Sequence, residues 1–165
     1  MKVLVEYIIN QLEENQQGKV WIGPNYEKHL SGINEENAFI RPLPDLHSVA
    51  EIISHLNTWQ QETILKINTG KGSLTDDAEA NWYSNEKLKA KTWAVVLNEY
   101  RTSLAEVIAL LKTKEDSFLL EQYYDTDFKG HYPYSFVING MLHHNLYHLG
   151  QIGIIVKYLK LQGKY

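Results

Sequence analysis

Trp93-Ala-Val-Val-Leu97-Asn-Glu-Tyr100-Arg-Thr-Ser-Leu104-Ala-Glu-Val107-Ile-Ala-Leu-Leu111 decides the fold class. Its large apolar residues, at 93, 97, 100, 104, 107 and 111, follow one another at spacings of four and three. That is the repeat of a helix with one buried stripe, the seam of a bundle. Three other segments carry the same signal. Lys2 to about Asn15 places Leu4, Ile8 and Leu12 on one face, and Gly18 stops it. Ser48 opens another segment, with Glu51 three residues later, which is a capping box. Ile52, Leu56, Trp59 and Thr63 then share a face, and Asn68-Thr69-Gly70 ends the helix. The last segment runs from about Tyr134 to Leu161, with Pro133 suited to its start. Its apolar stripe is Val137, Met141, Ile152, Ile155 and Leu159.

The connections read as loops. Residues between Gly18 and Pro44 carry Gly-Pro and Pro punctuation, with room for a helical turn near Asn34 to Ala38. Gly72 to about Ser84 is a loop with Trp82 packed on the body, and Lys112 to Pro133 is a second loop. No stretch alternates with period two for long enough to require a strand. The pattern predicts an all-α four-helix bundle, one domain over residues 1–165.

Composition narrows the function. Sixteen basic and twenty acidic side chains give a net charge of −4, with no basic cluster, which argues against a nucleic-acid partner. There is no cysteine, so disulfides, thiolate metal sites and a cysteine nucleophile are excluded. No apolar segment approaches the length of a membrane span. Lys2 is followed by only a short apolar run, unlike a signal peptide, so the expected location is the cytoplasm.

Histidine is the unusual component. The chain has seven, roughly twice average usage. His144 and His148 lie four apart on the fourth helix and on its apolar stripe, so both rings are expected to face the bundle interior. Residues so spaced stand about 6 Å apart, close enough for two imidazoles to share an ion. The same spacing is equally that of two histidines satisfied within a core. His55, three residues after Ile52 and four before Trp59, sits on or beside the core face of the second helix. Together the three would form a facial set with open positions for water or substrate. Gln151 is placed to orient a histidine from behind, or to be a buried amide, and Trp59 to wall a pocket or fill the core. Glu51 is explained by its cap. His143 is expected at an interhelix boundary, His47 too far from His55 to share an ion, and His29 and His131 in loops.

His144-Asn-Leu-Tyr-His148-Leu-Gly-Gln151-Ile152 resembles the C-terminal signature of the bacterial DinB-like family. Asp45-Leu-His47-Ser48-Val-Ala-Glu51-Ile-Ile-Ser-His55-Leu-Asn-Thr-Trp59 resembles its second-helix motif, and Trp21-Ile-Gly-Pro24, Leu30-Ser-Gly-Ile33 and Arg41-Pro42 are similar to one branch. The resemblance implies an up-down-down-up bundle and a homodimer. It implies a divalent Ni, Zn, Fe or Mn ion held by His55, His144 and His148. Relatives with assigned activity mostly depend on a low-molecular-weight thiol, transferring bacillithiol or using mycothiol in an isomerase. Three functions follow: a metal-dependent thiol S-transferase or hydrolase acting on a small molecule, a non-catalytic metal-binding or stress-response bundle, and a bundle with no metal. The first is favoured.

Overall fold

The computed structural model describes residues 1–165. Four long helices carry the body: α1 (Val3–Gln17), α3 (Val49–Thr69), α5 (Trp93–Lys112) and α6 (Tyr134–Leu161). These are the four expected segments. Two short helices, α2 (Tyr26–Leu30) and α4 (Asn85–Lys89), lie in the connections. The expected loop from 112 to 133 instead contains a 3-10 turn and an antiparallel hairpin, β1 (Gln122–Asp125) with β2 (Gly130–Pro133). Each strand is four residues long, too short for alternation to show in sequence.

Local chemistry sets the helix ends. Ser48 Oγ accepts from the Glu51 backbone N–H, and the Glu51 carboxylate accepts from the Ser48 N–H. Arg41 clamps that same carboxylate, which gives Glu51 a structural role. Gly70 ends α3 in the left-handed conformation, at φ 71°.

The buried side chains fix the topology. One apolar cluster joins Ile52 and Leu56 at the start of α3, Trp93 and Val96 at the start of α5, and Ile155 and Leu159 at the end of α6. The other joins Ile64 and Ile67 at the end of α3, Val107 and Leu111 at the end of α5, and Val5 and Ile138 near the starts of α1 and α6. So α3 and α5 run parallel to each other, and α1 and α6 run the opposite way. At the far end of α1, Gln16 accepts from the Tyr100 hydroxyl near the start of α5. The order is up-down-down-up.

Parallel neighbours need a long return. Residues 70 to 92 must travel back along α3, about 30 Å for its 21 residues. That return passes the histidines and delivers Asn81 and Trp82 to them. No helix is long and apolar enough to cross a membrane.

Candidate metal centre

α3 supplies His55, and α6 supplies His144 and His148 one turn apart. Their Nε2 atoms converge. His144 Nε2 lies 2.8 Å from His55 Nε2 and 2.9 Å from His148 Nε2, and the three ligand atoms fall within 4.8 Å of one another. His55 and His148 are buried. His144 is half-buried, at the edge of a cavity, because Ile138 and Asn145 rather than Val137 and His144 take the innermost positions of α6.

The outer nitrogens determine the tautomers. His55 Nδ1 lies 2.8 Å from the Asn81 carbonyl oxygen, which can only accept. Nδ1 therefore carries the proton, and His55 Nε2 is a bare lone pair. His148 Nδ1 lies 2.6 Å from Gln151 Oε1 and donates to it, so its Nε2 is bare as well. His144 Nε2 stands between the two and carries at most one proton. One pair is left lone pair to lone pair. A cation at the convergence point satisfies all three, so this donor set fits a metal ion.

Burial keeps the rings neutral. It lowers His144 to about 3, helped by the neighbouring charges that His148 and His55 would carry. It lowers His148 to about 4, again helped by His55 and opposed by Gln151. It also lowers His55, against the raising effect of its bond to Asn81.

A second layer holds the first. Trp59 donates its indole N–H to Asn81 Oδ1 at 2.8 Å, and Asn81 Nδ2 donates to the Asp76 carbonyl and carboxylate. Trp82 lies flat between two imidazoles, 3.9 Å from the His55 ring and 3.7 Å from the His47 ring. The sequence reading named Gln151 and Trp59 and placed Trp82 on the body, but missed Asn81 and Asp76. No local pattern marks those two residues; only the return of the chain brings them here.

The remaining histidines stand outside the cluster. His47 stacks on Trp82 and does not converge with the three. His143 is solvent-exposed, not at an interhelix boundary, since its side chain points away from the bundle. His29 lies in α2, where a Cβ at Gly153 would stand 3.2 Å from its ring, and His131 is exposed on β2, not in a loop.

The histidines open onto a cavity of about 760 Å³ walled by Trp59, Trp82, Phe136, Gly140, Met141 and Tyr147. Its other end is a buried ionic cluster. Lys66 Nζ donates to Asp125 Oδ2 at 2.9 Å, and Tyr123 donates its hydroxyl to the same oxygen. Burial alone would raise the Asp125 carboxyl, but Lys66, the Phe128 amide and Tyr123 outweigh it and hold it below its ordinary value. The Tyr123 phenol is pushed up by burial, by that hydrogen bond and by the carboxylate charge. Sequence reasoning missed this cluster, although Lys66 follows Thr63 by three on the buried face of α3.

The DinB superfamily profile matches residues 21–152. Comparison with curated proteins finds no match. Among solved structures, YfiT from Bacillus subtilis is similar in fold, with a TM-score of 0.63 at 12% sequence identity, over 100% of this chain and 91% of that one. YfiT is described as a probable metal-dependent hydrolase with an unusual four-helix bundle topology. With both histidine motifs inside the matched residues and the up-down-down-up order in the fold, the chain belongs to the DinB superfamily.

Proposed function

We propose that this protein is a metal-dependent hydrolase, with a divalent transition metal bound by the Nε2 atoms of His55, His144 and His148. The observation that carries the reading is the committed outer nitrogens: His55 and His148 donate their Nδ1–H groups to the Asn81 carbonyl and to Gln151 Oε1, and both turn bare Nε2 lone pairs on His144. A purely structural core has no reason to turn two such acceptors on a third nitrogen that can serve only one of them. The description of YfiT supports the same reaction class.

A divalent ion among three neutral ligands keeps its charge, and would supply Lewis acidity that polarises a carbonyl and acidifies water. The chain's own residues do the rest. Asn81 and Gln151 fix the ring orientations, which sets where the ligand lone pairs point. Trp82 covers His55 and shields it from bulk water. The cavity beside His144 gives a small substrate its approach, and Gly140 keeps that wall free of a side chain.

The test is elemental analysis of protein purified without a nickel column, beside His55→Ala and His144→Ala. The expected result is about one equivalent of transition metal in the wild type and none in either variant. The loaded protein is then assayed on ester and amide panels, with and without a low-molecular-weight thiol. A chain that stays metal-free in Zn, Ni, Fe and Mn salts overturns the proposal. Turnover that requires the thiol moves the reaction to S-transfer.

A further inference from the structure

We infer that Lys66 anchors the substrate at the end of the cavity remote from the histidines, and that the group it holds is an uncharged acceptor oxygen carried on a flat apolar body. This substrate class rests on reading the cavity as the active site.

Lys66 is 3% exposed and still lines the cavity. An ammonium has three N–H donors. One goes to Asp125 Oδ2, and Glu62 Oε1 stands at 3.7 Å, beyond hydrogen-bond length. The neighbouring acceptors are committed. Asp125 receives Lys66 and the Tyr123 hydroxyl on one oxygen, and the Asp127 and Phe128 amides on the other. Glu62 receives the Ser73 amide and hydroxyl. Lys66 alone has donors without an oxygen partner, its ammonium otherwise facing only the rings of Trp59 and Tyr123 at 5.8 and 5.5 Å.

Charge selects what those donors can take. Two buried carboxylates already face one buried ammonium. Asp76 and Asp127 add negative charge to the cavity wall. A third anion would meet net repulsion in a poorly solvated place, whereas a carbonyl oxygen needs only the donor. The walls select shape. The Trp59 ring lies 5.8 Å from Lys66 Nζ and 6.4 Å, centre to centre, from the His55 ring, so one indole spans the way between the two ends. Val137, Met141 and Phe136 line the same space, a surface suited to a flat apolar group. The cluster is also closely fitted: a Cβ at Gly72 would stand 2.5 Å from Glu62 Oε1 and 2.6 Å from Lys66 Cε.

The test compares two probes with one ring system, 2-naphthamide and 2-naphthoate, by calorimetric titration of the full chain without added metal. The amide is expected to bind about tenfold tighter than the carboxylate. Lys66→Met removes the donor but strands Asp125, so the double variant Lys66→Met/Asp125→Asn is measured with it, after its melting curve has been matched to wild type. Amide affinity is expected to fall about tenfold in the double variant, and the preference over the carboxylate to vanish. Tighter binding of the carboxylate, equal amide affinity in wild type and double variant, or no binding of either probe overturns the assignment. Both titrations are metal-free, so failure to load metal sinks the hydrolase reading without touching this result. A Lys66-independent result sinks the anchor without touching the metal centre.

Discussion

At one end of the cavity three imidazoles gather with their acceptor atoms turned on one another. At the other, Lys66, Asp125, Tyr123 and Glu62 form a cluster whose carboxylate oxygens all have donors. Both groups are buried polar islands on α3, one begun by His55 and the other by Lys66, eleven residues later. The difference teaches what each is for. The carboxylates of the ionic cluster are satisfied by the chain itself, tying the hairpin to the end of α3, and only the spare donors of Lys66 are left for the cavity. The histidine cluster is oriented from within but left open at its centre, which is the condition of a site awaiting something from outside.

The contrast predicts opposite responses to truncation. Asp125→Ala leaves a buried ammonium facing Glu62 at a distance and is expected to cost about 3–5 kcal/mol in urea unfolding. His144→Leu, in metal-free protein, removes a partner that could never serve both neighbours, and is expected to cost less than about 1 kcal/mol. Equal losses in the two would break the distinction. A smaller effect is expected from Gln151→Leu, which frees the His148 ring; metal affinity should fall about 10–100-fold by competition with a chelating dye, with the fold intact. An unchanged affinity would make Gln151 a bystander.

The smallest expected effect is a pH response that barely moves. Protons compete with a metal only as pH falls towards a ligand's own pKa in the folded chain. His144 is lowered to about 3 by burial, helped by His148 and His55, and His148 to about 4 by burial, helped by His55. From pH 7 to pH 5 both stay unprotonated, and burial lowers the third ligand, His55, as well, so affinity is expected to fall far less than it would with ordinary histidine ligands. A ligand histidine at the ordinary value of about 6.5 would lose about 25-fold over that range. A steep decline would show that the rings are solvated like surface histidines.

Much of this was legible in the chain. The stripe from Trp93 to Leu111 and the Ser48–Glu51 box gave helices whose ends moved by only a residue or two. His144 and His148 were readable because four residues on a helix is a local relation, and His55 because its register against Ile52 and Trp59 is local too. The hairpin was not, since two four-residue strands exist only by pairing with each other. Asn81 was not, because it reaches His55 across 26 residues by way of the return that a parallel α3–α5 pair demands. The Lys66–Asp125 pair spans 59 residues and was missed, although the register of Lys66 on α3 could have marked half of it. A lysine on a buried stripe must find a counter-charge somewhere.

Trp82 has a further use. Its ring is sandwiched between two imidazoles, one a ligand candidate and one not. Trp21 is 98% exposed and Trp93 lies deep in the apolar core, so neither senses the site directly. Indole emission is sensitive to the charge and electron demand of an imidazole in face-to-face contact. Trp59, edge-on to His55 and bonded to Asn81, is the one other indole at the site. Titrating metal into the protein should therefore register as a change in the joint fluorescence of Trp82 and Trp59, and a Trp59→Phe variant isolates the Trp82 signal without label, dye or known substrate.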